Sequence, residues 1–375
     1  MDDGLVLRLM LIAGLSVAAW GGVVALVLYA IGRAGQHPLL CPVGPLRPAW
    51  NGFAVVGAFA AWYLAGALVH TALAASGFFQ RVYGPDFPID LPRDPTEAQR
   101  AAATVRALWT ATIAFPIQVG LIAWVLWAQG ADNPFRRRGW QMHVVAGYLT
   151  WLLVTPAAFC VFVLAIAAHS ALTGQPADKH PLTVLGAAAG EREWTLFVLQ
   201  TVVLAPVLEE LLFRGLLLPW LAQRRPVPPE TPLTVPPARR ALVVMLLAVG
   251  AAVIFQLEEI EKAWVKGDYY AAAAHLVPGA FFLALVPLLY VLPRLGGLRR
   301  HLRIRRTQDV RAILASSALF AAFHAAVWPS PVPLVVLAVG LGYLYLRTRS
   351  LVGPIVVHGL FNAVSAVYLL LGGPA

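Results

Sequence analysis

Glu209 and Glu210 are adjacent carboxylates inside an apolar run that extends from Leu204 to Gly215 and contains one cation, Arg214. On a helix, Glu210 and Arg214 are four residues apart and share a face, so they can pair. Glu209 then points about 100° away and is left without that partner. A carboxylate held among apolar side chains, with no cation of its own, can take a proton from water. A purely structural role, in which both acids neutralise Arg214, explains one of them well and the second poorly.

Two histidine motifs lie further along the chain. Phe320 and His324 are four apart in one apolar run, and His358 and Asn362 are four apart in another. The second pair projects from a single helical face. Imidazoles can position a water or donate to developing negative charge, and a carboxamide can donate to an oxyanion. Glu209, His324 and His358 could equally serve as three zinc ligands, with water as the fourth. His70, His143, His169 and His275 have no acidic neighbour at helical spacing and read as packing or interface residues.

The elements that must hold these groups follow from composition. Among 375 residues, 59% are apolar and 12% charged, too few polar residues to cover a water-soluble core. Only helices or closed barrels satisfy their backbone inside a bilayer, and runs of about 20 apolar residues indicate helices. The expected fold is all-α, a polytopic transmembrane helix bundle of about ten spans. They lie near 5–32, 49–76, 104–129, 141–169, 194–220, 240–257, 270–293, 311–328, 331–346 and 350–372. The first apolar run is longer than a signal-peptide core and reads as a retained span.

The net charge of +10 comes largely from arginines in short loops, where it reports membrane orientation rather than nucleic-acid binding. Arg33, Arg47, Arg136, Arg137, Arg138, Arg224, Arg225, Arg239, Arg240, the six arginines of 294–306, Arg347 and Arg349 mark cytoplasmic loops, which leaves both termini outside. Cys41 and Cys160 form no metal-ligand pattern and no disulfide framework. At ~1.5 Å per helical residue, Glu209, His324, His358 and Asn362 all fall roughly 12–22 Å from their arginine-rich ends. Ionisable groups from three spans at one depth are what a buried water-activating site requires.

The three motifs, Glu209-Glu210 with Arg214, Phe320 with His324, and His358 with Asn362, resemble those of the CPBP family in order and spacing. That family comprises CAAX-processing prenyl endopeptidases and related bacterial intramembrane proteases. The resemblance implies peptide-bond hydrolysis, with Glu209 as general base, His324 positioning the water, and His358 and Asn362 stabilising the oxyanion. Glu210, Arg214 and Phe320 would support the site. It implies a glutamate mechanism without a required cofactor, or a zinc mechanism on Glu209, His324 and His358. The partners it implies are membrane lipid and a membrane-associated or lipidated peptide or protein.

On this reading residues 1–190 are accessory transmembrane helices and 191–375 the catalytic membrane core. The core carries an insertion at 226–308, since the first two motifs are otherwise joined by a short connection. The reading from another class is a non-catalytic transporter or immunity partner that uses the Glu/His cluster for binding or proton relay.

Overall fold

The computed structural model describes residues 20–21, 50–89, 92, 96–128, 140–174, 190–223, 237–302, 304 and 306–370. Those residues are helical, with turns between the helices and no strand among them, as an all-α membrane protein requires. The expected first span, apart from residues 20–21, and the start of the expected insertion up to residue 236 lie outside the described residues.

We number the helices α1 (Gly52–Ala75), α2 (Phe78–Tyr83), α3 (Glu97–Ala128), α4 (Trp140–Thr173) and α5 (Glu191–Ala222). They continue with α6 (Pro237–Ile254), α7 (Leu257–Val265), α8 (Tyr269–Arg294, interrupted by turns), α9 (Thr307–Ala322), α10 (Pro331–Thr348) and α11 (Val352–Leu370). Among the described residues six helices are long and apolar enough to cross a membrane, and a seventh span results if α6 and α7 are taken together across their 43° bend. This is fewer than the ten expected. Of the ten, the first falls outside the described residues apart from 20–21, α11 counts as an apolar helix only over Val352–Val367, and α9 ends at Ala322 with C-cap Phe323 although the apolar run continues to residue 328.

Large side chains such as Phe53, Leu68, Trp124 and Leu164 point outward, which suits helices whose solvent is lipid. The centre is α9, whose buried residues are mostly small, Ala312, Ala315, Ser316, Ser317, Ala318, Ala321 and Ala322, beside Ile313, Leu319 and Phe320. Small residues let neighbouring backbones approach closely, and in lipid that close packing replaces the hydrophobic drive. α9 packs against α6 and α10, while α11 packs against α4 and the first half of α5.

The start of α5 is fixed by polar contacts to α2 and α3. Glu193 accepts from the Gly190 amide at 2.9 Å and from the Tyr83 hydroxyl at 2.7 Å, and Trp109 donates to Tyr83 at 2.9 Å. Burial first, and the Glu193 carboxylate second, holds the Tyr83 hydroxyl above the usual phenol range.

α5 is not a uniform helix. It widens into π-helix at Leu199–Leu204 and again at Leu211–Leu217, and each widening ends two residues before a proline, Pro206 and Pro219. A proline ring clashes with the carbonyl four residues back and offers no N–H, so a looser turn before it relieves the clash. The stretch between the two widenings carries Glu209 and Glu210.

Candidate active site

The Ala205–Glu210 segment of α5 turns its two acids in different directions. Glu210 is completely buried, and its Oε1 lies 2.8 Å from an Arg214 guanidinium nitrogen, the pair expected from their spacing. Arg214 is itself 1% exposed; it also donates to the Ala338 carbonyl of α10 at 3.3 Å and lies over the Phe320 ring, 4.6 Å from its centroid. The guanidinium thus meets a carboxylate, a carbonyl and an aromatic face, which together offset the cost of burying it.

His358 of α11 joins the two acids. Its Nδ1 lies 2.9 Å from the same Glu210 Oε1 that Arg214 contacts. A carboxylate oxygen accepts, so Nδ1 carries the hydrogen and Nε2 is directed elsewhere. Nε2 faces Glu209 Oε2 at 3.8 Å, beyond direct hydrogen-bond range. Glu209 Oε2 is buried and has no hydrogen-bond partner among the described residues, while the Glu209 side chain as a whole keeps 23% of its surface exposed. Glu210 Oε2 is likewise buried without a partner among the described residues, so what distinguishes Glu209 is that its side chain still reaches the surface.

His324 sits in the turn beyond α9, and its Nδ1 donates to the Phe320 carbonyl at 3.0 Å, leaving Nε2 outward. Phe320 gathers the histidines: its ring centroid lies 5.2 Å from that of His324 and 5.5 Å from that of His358, the latter edge-on. One aromatic ring therefore touches Arg214 and both histidines, which gives the supporting role expected of Phe320 a physical form.

Asn362 donates through Nδ2 to the Thr201 carbonyl of α5 at 2.9 Å. The π-turn explains why that carbonyl needs a donor. The Ala205 amide, which would serve Thr201 in an α-helix, bonds instead to Gln200 O, and Pro206 has no N–H to give. Asn362 supplies the missing donor and ties α11 to the acid-bearing helix, with one of its two N–H groups left over.

The same interface depends on Gly359. A Cβ there would lie 2.7 Å from the Val202 carbonyl, so only glycine lets α11 approach α5 closely enough for His358 to reach Glu210. Gly359→Ala is expected to destabilise the protein by about 1–3 kcal/mol through overpacking and to reduce any activity of the site. Gly57→Ala on α1, where a Cβ meets nothing within 4 Å, is expected to change neither. Thermal unfolding in detergent micelles separates the two, and equal midpoints would contradict the packing account.

Among the described residues no group of three or more His, Cys, Asp or Glu is arranged to hold a metal ion, and the Nδ1 bond of His324 to its own helix leaves Nε2 as its available nitrogen. Sequence reasoning also left two residues unassigned at this place. Gln256 donates to the Ala325 carbonyl at 2.7 Å, and His275, read as a packing residue, pairs with Gln256 at 2.9 Å. Their signal, polar residues in an apolar insertion, was present but did not indicate which turn they meet.

Residues 191–364 match the family described as type II CAAX prenyl endopeptidase Rce1-like, a stretch that contains all three motifs and the helices α6–α8 between them. No curated protein and no solved structure matches the chain.

Proposed function

We propose that this chain, whose residues 191–364 belong to the type II CAAX prenyl endopeptidase Rce1-like family, hydrolyses peptide bonds of membrane-associated or lipidated substrates with Glu209 as the base. The observation that carries this reading is the open Glu209 Oε2, 3.8 Å from His358 Nε2, on a side chain with access to the surface.

The chemistry follows from those two groups. Glu209 Oε2 takes a proton from water as the water oxygen bonds to the scissile carbonyl carbon, and the carbonyl electrons move onto oxygen. His358, held through Nδ1 by Glu210, can present a protonated Nε2 to that oxyanion, and the second N–H of Asn362 is a further donor. His324, with Nδ1–H committed to Phe320, offers Nε2 as an acceptor that orients the water. Collapse of the tetrahedral adduct breaks the C–N bond, and Glu209 returns its proton to the leaving amine. Arg214 and His358 Nδ1 meet the same Glu210 Oε1, so the carboxylate holds the imidazole in its orientation.

The test is to incubate the purified protein in proteoliposomes with a lipid-anchored peptide library and to sequence the new amino termini. Defined internal cleavage sites are expected. Absence of cleavage together with proton-coupled solute flux would instead identify the Glu/His cluster as a relay in a transporter.

A further inference from the structure

We infer that the inserted helices position His324: Gln256 and His275, neither part of the three motifs, form a two-bond clamp on the turn that carries it. The inference rests on the catalytic reading for its kinetic consequence but on geometry for its existence.

The turn begins where α9 ends. His324 follows the C-cap Phe323 and lies outside regular helix, so the helical ladder alone does not fix its orientation. Ala325, the next residue, is fully buried, and its carbonyl accepts from Gln256 Nε2 at 2.7 Å. Gln256 stands at the elbow between α6 and α7, where the insertion bends by 43°, and is 3% exposed.

Elementary donor and acceptor chemistry orders the whole chain of contacts. A carbonyl only accepts, so the Gln256 amide must turn its NH2 toward Ala325 and its Oε1 toward His275. His275 Nδ1, 2.9 Å from that oxygen, must then carry the hydrogen. The imidazole on α8 therefore selects the amide orientation that the turn requires. Ring contacts flank the clamp on both sides, Phe255 with Phe323 at 6.4 Å and Phe281 with Trp328 at 5.9 Å. Both ends of the turn are thus gripped by the insertion, and the middle is held by the only one of these contacts with a fixed direction.

Gln256 and His275 touch no reacting atom in this account and are positioning residues. Gln256→Glu keeps the shape but sets an oxygen against the Ala325 carbonyl, and His275→Leu removes the donor that orders the amide. His275→Asn is the conservative counterpart, since its Nδ2–H2 can occupy the place of Nδ1–H.

The experiment measures two quantities on the full-length protein in micelles: the rate of carbethoxylation of His324 by diethyl pyrocarbonate, followed by mass spectrometry, and kcat and KM for a peptide that the wild type cleaves. Gln256→Glu and His275→Leu are expected to change the His324 modification rate severalfold and to lower kcat on the order of tenfold, what one hydrogen bond carries, with KM within about twofold. His275→Asn is expected to restore both. An unchanged His324 rate in Gln256→Glu would overturn the inference, as would a uniform loss of folded protein that His275→Asn fails to rescue. If the wild type cleaves nothing, the catalytic reading fails, and the modification rates still decide the clamp.

Discussion

Arg214→Met is expected to destabilise the folded protein by about 3–5 kcal/mol, the range observed when one partner of a buried ion pair is removed. Glu210 has no exposed surface, and the substitution would leave its carboxylate facing His358 without the guanidinium that balances its charge. The loss also removes the stacking on Phe320 and the bond to Ala338. Adding Glu210→Gln should recover much of the stability, because the stranded charge disappears, while cleavage stays low because His358 loses its carboxylate. Arg300→Met, at an exposed position, provides the comparison. Thermal unfolding of the four proteins in the same micelles checks this, and equal midpoints for Arg214→Met and Arg300→Met would contradict it.

His358→Leu is expected to lower kcat by about 10²–10³, the usual contribution of one oxyanion donor, with a smaller effect on unfolding than Arg214→Met. The asymmetry has a structural reason. Removing the imidazole leaves the 2.8 Å Glu210–Arg214 pair intact, so no buried charge is stranded. It deprives Glu209 of the group facing its open oxygen across 3.8 Å. Initial rates over a range of peptide concentrations separate kcat from KM, and a change confined to KM would mean that His358 contributes only to binding.

The site was legible in the sequence to the extent that local spacing dictates geometry. Four-residue spacing identified the Glu210–Arg214 pair and set Glu209 apart, because helical periodicity alone decides which side chains share a face. What spacing did not provide was the rotation of one helix against another. His358 bridges both acids because Gly359 admits α11 against α5, a fact of packing between segments more than 140 residues apart. Asn362 shows a middle case: Pro206 announces an orphaned carbonyl one turn earlier, but not the residue that satisfies it.

The span count missed for a related reason. Apolar sequence measures preference for lipid, and it does not distinguish helix from a turn such as Phe323–Trp328, where the amides of Phe323, His324, Ala325 and Val327 make local bonds and the Ala325 carbonyl accepts from Gln256. The same turn carries His324, so the boundary that hydropathy blurred is the one that matters for the site.

The central claim is that Glu209 is the base. The most direct measurement compares single-turnover cleavage of one membrane-anchored peptide by the wild type and by Glu209→Gln, each shown by thermal unfolding to be equally folded. Glutamine keeps the size of the side chain and cannot take the proton, so the account predicts a fall in the rate of about 10²–10⁴ with unchanged peptide binding. Cleavage by Glu209→Gln at the wild-type rate would contradict it.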